Sequence, residues 1–141
     1  SLGHPAHLHA RNTSFAAVSR APISKIEPFR QRMGWTFPWY SSQGSDFNYD
    51  FHVTLDESVT PIEYNFRTAQ ELVDMGEPYF ARPGEQGGVS VFLRDGDTVL
   101  HTWSGYGPVT DLFCGTDIRL DLTPLGRQDE DVELRHHDKY P

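Results

Sequence analysis

TSFAAVSRAPISKIEPFRQRMGWTFPWYSS, residues 13–42, is the stretch that decides the fold. Thr13 to Ser19 is a β-branched and small apolar run without strict alternation, the pattern of a strand covered on both faces and so of an interior parallel strand. After Ala21 and Pro22, Ile23, Ile26, Phe29 and Met33 recur at spacings of three and four. Lys25, Arg30, Gln31 and Arg32 take the other side, and Gly34 stops the amphipathic helix that this spacing predicts. Pro28 would cost about 3 kcal/mol deep inside a helix, so regular winding is expected to begin near Ile26, with Pro28 in the first turn. Trp35 to Ser42 reads as a second strand, at an edge because Pro38 has no amide hydrogen to give a ladder. A strand, a helix and a strand in about 30 residues make a right-handed crossover, with both strands parallel in one sheet.

Outward from this unit, seven of the 18 aromatic residues fall between Trp35 and Phe51, a crowding expected of core or interface. Thr60, Pro61 and Glu63 combine an N-cap hydroxyl, a first-turn proline and a capping-box carboxylate. They predict a helix with Ile62, Phe66, Ala69 and Val73 as its buried stripe and Gly76 at its end. Glu77 to Gly88 is rich in glycine and proline and reads as a loop. Val89 to Trp103 is a hairpin whose turn is assigned to Asp95-Gly96 as a type I′ loop, so that Arg94 opposes Asp97, Phe92 opposes Val99 and Ser90 opposes His101. That register makes both faces substantially apolar, with Ser90, Phe92, Val99, His101 and Trp103 on one of them, as in a sheet covered on two sides. Val109, Leu112 and Phe113 suggest a closing helix, and Arg127 to Pro141 a charged, fraying tail.

With 141 residues, 33 of them Leu, Ile, Val or Phe, the chain suits one folded domain over residues 1–141. No run approaches the roughly 20 apolar residues that cross a bilayer. A net charge of −8 repels phosphate backbones and anionic lipid, so neither nucleic acid nor a membrane is an expected partner. The single cysteine, Cys114, cannot form an intramolecular disulfide or a CxxC pair; it fits a reducing, cytoplasmic setting and reads as a packed, inert thiol.

Three segments carry a family resemblance: GWTFPWYSSQGSDFNYDFHVT (residues 34–54), GVSVFLRDGDTVLHTWSGYG (residues 88–107) and LDLTPLGR (residues 120–127). Together they resemble the thioredoxin-like family catalogued as domain of unknown function 899. The resemblance implies an α/β fold, a thioredoxin-like mixed sheet with flanking helices. It further implies that the first strand and the start of the first helix, where the reactive cysteine would sit, precede Ser1. Two inner strand edges would then lack their neighbour, at Thr13 to Ser19 and at Val89 to Arg94. Either these two strands pair directly or another subunit supplies an edge. Gly87 and Gly88 stand where thioredoxins place a cis-proline.

In an open α/β sheet, ligands collect beyond the carboxyl ends of parallel strands, which here nominates Ser19, Arg20, Ser41, Ser42 and Asp46, with Gly88 and Ser90 arriving at the same end. Arg20 could hold an anionic group, the serines could hydrogen-bond it, and Trp39 and Tyr40 could form an apolar wall; ordinary turn chemistry explains the same residues. His101 opposite Ser90 suggests a Ser–His pair, or a buried histidine satisfied by a hydroxyl; no nucleophile elbow surrounds Ser90. The histidines His4, His7 and His9, and His136 with His137 and Asp138, match no established metal spacing. Asp129, Glu130, Asp131 and Glu133 read as a solvated acidic face. No cofactor, metal site or catalytic residue is assigned. The expected function is a non-catalytic thioredoxin-like domain, a homo-oligomer formed through unpaired strand edges, with a small molecule as a possible ligand. The alternative is a fragment of a dithiol-disulfide oxidoreductase whose cysteines lie upstream of residue 1. Hydrolysis through Ser90 and His101 is a third reading.

Overall fold

A computed structural model describes residues 5–128 and 135–140. His4 and the acidic run Asp129, Glu130, Asp131 and Glu133 lie outside the described residues. In chain order the elements are α1 (Ala6–His9), β1 (Ala17–Ser19), α2 (Ile23–Arg32), β2 (Trp39–Ser41), α3 (Phe47–Asp50), β3 (Thr54–Leu55), β4 (Glu63–Tyr64), β5 (Arg67–Thr68), α4 (Ala69–Asp74), β6 (Gly84–Glu85), β7 (Gly88–Asp95), β8 (Thr98–Tyr106) and α5 (Gly115–Asp121). The fold is mixed α/β. Its described strands pair only in twos, as β1-β2, β3-β6, β4-β5 and β7-β8, in place of one continuous sheet. The chain divides into two compact units, residues 1–45 with 112–141, and residues 46–111.

In the first unit β1 and β2 run parallel as expected, with Ala17 opposite Trp39, Val18 opposite Tyr40 and Ser19 opposite Ser41. The expected interior strand is corrected: β1 has three residues, pairs with β2 alone, and leaves Val18 40% exposed. Phe15 meets Phe37 edge to face at 5.1 Å. Pro38 precedes the ladder and still serves it, because its carbonyl accepts from the Ala17 amide at 2.9 Å. The late helix start is also corrected. Pro22, extended at φ −64° and ψ 147°, is the N-cap; α2 begins at Ile23 and carries Pro28 inside it. Only one intrahelical bond, to the Ser24 carbonyl, is lost to that proline. Ile26 and Met33 are buried, and Phe29, Trp35 and Trp39 pack with centroids 5.6–5.8 Å apart.

Within the described C-terminal residues 135–140, a tether stands where fraying was expected. The Arg32 guanidinium donates to His136 Nδ1 at 2.9 Å, lies 3.2 Å from an Asp138 carboxylate oxygen, and covers the Phe29 ring at 4.9 Å. Arg127 grips both Asp121 carboxylate oxygens at 2.7 Å and holds that carboxyl below its usual range. The closing helix is corrected as well: residues 107–113 form a 3-10 helix with Leu112 71% exposed, and α5 starts only after Cys114, which is exposed where a packed thiol was expected.

The second unit is built on Leu55, Ile62, Tyr64, Leu72 and Tyr106, with Val53, Ala69, Phe80 and Ala81 against them. The helix expected from Thr60 is overturned. Ile62 and Tyr64 reach the core with the two-residue period of a strand; Asn65 and Phe66 then reverse the chain at φ 51° and 61°, leaving Phe66 77% exposed. The real capping box lies eight residues later. The Thr68 amide donates to Glu71 Oε2 at 2.8 Å and the Glu71 amide to Thr68 Oγ1 at 3.3 Å, which starts α4 and lowers the Glu71 carboxyl. Both stretches spell Thr-x-x-Glu; the strand period of Ile62 and Tyr64 decided between them.

The hairpin exists, with its register corrected. Its two-residue loop is Gly96-Asp97, with Gly96 first at φ 57°, so Asp95 opposes Thr98, Leu93 opposes Leu100 and Phe92 opposes His101. Thr102 is then an extra residue, and beyond this bulge Val91 opposes Trp103, Ser90 opposes Ser104 and Gly88 opposes Tyr106. One face therefore holds Ser90, Phe92, His101 and Ser104; the other holds Val89, Val91, Leu93, Leu100 and Trp103. At the base, the Tyr64 hydroxyl donates to the Gly87 carbonyl and accepts from the Gly107 amide, each at 2.9 Å. Gly88 is obligatory there, since a Cβ would stand 2.7 Å from Val53 Cγ1 and 3.1 Å from the Tyr106 ring.

Burial pushes the Tyr64 hydroxyl above its ordinary value of 10.0. Tyr64→Phe strands one donor and one acceptor and is expected to cost about 1–3 kcal/mol in urea unfolding at neutral pH. A raised folded value means that the folded state holds the proton more tightly, so the contribution is full below pH 10 and falls as pH rises past it. The gap between wild type and Tyr64→Phe should therefore narrow in alkali; a constant gap would refute that linkage.

Candidate functional site

The nominated residues of the first unit sit at the ends of β1 and β2, where their polar groups hold the strand ends. Ser19 Oγ accepts from Trp39 Nε1 at 3.1 Å. Ser41 Oγ donates to the Ala21 carbonyl at 2.7 Å and accepts from the Gln43 amide at 3.2 Å. Buried Ser42 extends the ladder through its amide to the Ser19 carbonyl at 2.9 Å, and its own carbonyl receives the Ser45 amide and hydroxyl. Half-buried Arg20 follows β1 directly. Trp39 and Tyr40 do not form one wall: successive strand residues face opposite ways, so Trp39 joins the aromatic cluster and Tyr40 is exposed.

Asp46, Gly88, Ser90 and His101 belong to the second unit. Asp46 precedes α3 and accepts from the Asp50 amide through its backbone carbonyl. The direct Ser90–His101 pair is corrected by the bulge: Ser104 stands between them, 2.7 Å from Ser90 Oγ and 2.8 Å from His101 Nε2. The same Nε2 lies 3.0 Å from the Trp103 carbonyl oxygen. A carbonyl can only accept, so the contact with Trp103 is a hydrogen bond only when Nε2 carries the proton. A general base would need that nitrogen bare toward the hydroxyl. The ring is set against Phe51 at 5.5 Å and Phe92 at 5.3 Å. The chain of hydroxyls and imidazole is thus a polar seam across the hairpin. Ser104 escaped the sequence reading because the bulge at Thr102 that sets it opposite Ser90 has no signature in the residue spacing.

Elsewhere in this unit, buried Asn48 and Thr54 both donate to Glu85 Oε2, at 3.0 and 2.8 Å. A hollow of about 50 Å³ touches Tyr49, His52, Asp56 and Glu63, room for one or two waters. An open cleft of about 480 Å³ is lined by Glu57, Pro61, Ile62, Glu63, Thr68, Ala69 and Gln70. None of the nominated residues lines either space. Among the described residues, no three His, Cys, Asp or Glu side chains gather to hold a metal, and no helix is long and apolar enough to cross a membrane.

Nitrogen-15 NMR of the imidazoles tests the seam: His101 is expected to carry a proton on Nε2. A proton on Nδ1 instead, with Nε2 bare toward Ser104, would restore a base to the site.

No curated protein and no solved structure matches the chain. A family model does match, over residues 1–140, and by that match the chain belongs to the family described as "Bacterial protein of unknown function (DUF899)".

Proposed function

We propose that this chain is a thioredoxin-like domain that does not itself run two-thiol exchange, self-associates through its unpaired strand edges, and can hold a small molecule. The parallel β1-α2-β2 crossover and the antiparallel β7-β8 hairpin are both motif types of a thioredoxin-like sheet, and they occur here as separate two-stranded pairs. One cysteine cannot close and reopen an intramolecular disulfide, and it fits a reducing, cytoplasmic setting. The 480 Å³ cleft has the volume of a small-molecule site.

The observation that carries self-association is the hairpin. Among the described strands, β7 and β8 pair with nothing but each other, and Val91, Phe92, Leu93, Val99, Leu100 and Trp103 are 42–63% exposed. Burying the exposed half of each such side chain stabilises by about 1 kcal/mol. Association costs about 4–15 kcal/mol in lost freedom and ordering, so these side chains alone sit near the threshold and backbone pairing decides the outcome. A concentration-dependent equilibrium follows.

Sedimentation velocity over about a hundredfold range of concentration is expected to show monomer passing to dimer, as mass action requires. The double variant Val91→Lys/Leu93→Lys should stay monomeric with an unchanged far-UV spectrum. A wild-type chain that stays monomeric throughout defeats self-association, and insulin reduction retained by Cys114→Ser defeats the non-redox reading.

A further inference from the structure

The hairpin's two edges are not equivalent. β8 contains the extra residue Thr102, which interrupts its row of amides and carbonyls and increases its twist, and such bulges blunt an edge against pairing. β7 is unbroken from Gly88 to Asp95, contains no proline, and has its two charges, Arg94 and Asp95, together at one end. The residues flanking a two-residue loop exchange hydrogen bonds. By alternation, Asp95, Leu93, Val91 and Val89 therefore direct their amides and carbonyls toward β8, while Gly88, Ser90, Phe92 and Arg94 turn theirs outward.

We infer that β7 is the association edge and that it pairs antiparallel with β7 of a second copy, about a twofold axis at Val91. This rests on the reading of the chain as self-associating. A twofold perpendicular to the sheet keeps equivalent side chains on one face, so each residue must meet one an even number of positions away. Two registers satisfy this and use nearly the whole strand: centred on Val91, residues 88–94 pair; centred on Phe92, residues 89–95 pair. The Phe92 register sets the Asp95 carboxylate opposite Val89, in the apolar face made by Val89, Val91, Leu93, Leu100 and Trp103. In the Val91 register Val89 meets Leu93 and Val91 meets its own copy, so that face stays apolar across the axis. On the opposite face Ser90 meets Phe92, and Arg94 meets Gly88. The two Arg94 residues then stand about 20 Å apart, well beyond the screening length of about 8 Å. Outward hydrogen-bonding groups, apolar residues and charges are all self-complementary about one residue, and this selects a second copy over a foreign strand.

A single thiol on the axis tests the register. Facing Cα atoms in a non-hydrogen-bonded pair lie about 4.5 Å apart, within disulfide range, whereas residue 92 and its copy would be diagonal neighbours about 7–8 Å apart, beyond it. In a Cys114→Ser background, Val91→Cys is expected to become mostly disulfide-linked dimer under mild oxidation, while Phe92→Cys stays largely unlinked. Sedimentation and circular dichroism should show the parent's oligomer and fold for both. If the parent dimerises and Phe92→Cys links in place of Val91→Cys, or neither links, the register is overturned and self-association stands. A monomeric parent overturns self-association itself. Should either cysteine variant misfold, a nitroxide on Arg94→Cys reads the same axis. A separation near 20 Å supports Val91, and one near 14 Å overturns it in favour of Phe92.

Discussion

The second unit depends on one phenol. The Tyr64 hydroxyl donates to the carbonyl just before β7 and accepts from the amide just after β8, so a single side chain from a different hairpin closes the base of the longest strand pair among the described residues. An isolated two-stranded hairpin is marginal in water, and here most residues of β7 and β8 are exposed; what holds the pair is concentrated at its base. Tyr64 reaches that position because Asn65 and Phe66 accept left-handed backbone, an unfavourable conformation for a bulky residue such as phenylalanine. Burial of Tyr64 between Phe80, stacked at 5.0 Å, and Tyr106 at 5.9 Å offsets that strain.

The hairpin's faces follow from this anchoring. On one, Phe51 closes over Phe92 and His101, and Gly88 admits Val53 and the Tyr106 ring, so the polar seam of Ser90, Ser104 and His101 runs beside packed aromatics. On the other, Val91, Leu93, Leu100 and Trp103 stand partly exposed. The serine and histidine side chains that resemble catalytic parts are consumed in closing the seam.

The sequence was legible where local chemistry admits one solution. The parallel crossover, the Gly34 stop and the existence of the second hairpin all follow from periodicity and turn residues. It was misleading where two solutions share one spelling. Thr-x-x-Glu occurs at Thr60 and again at Thr68, and the choice lay in whether Ile62 and Tyr64 would pack with a period of two or of 3.6. Asp95-Gly96-Asp97 holds two possible two-residue loops, and choosing the other one moves every cross-strand partner. Of the nominated site, the grouping of Ser19, Arg20, Ser41 and Ser42 at the strand ends was readable, because strand polarity alone puts them there. The engagement of their hydroxyls with Trp39, Ala21 and Gln43 was not, because it depends on side-chain directions that spacing does not encode.

Thr102 shows how far one residue propagates. As an insertion in β8 it returns Trp103 to the face of Val91, brings Ser104 opposite Ser90, and puts His101 beside Ser104 in place of Ser90. Its own hydroxyl donates to the Val91 carbonyl at 3.1 Å, so the bulge is held by a side chain where the regular ladder fails. That same irregularity distinguishes the hairpin's edges, leaving β8 interrupted and β7 continuous. Register, seam and available edge therefore have a common local origin, and a reading of the hairpin that treats its strands as equal in length misplaces all three together.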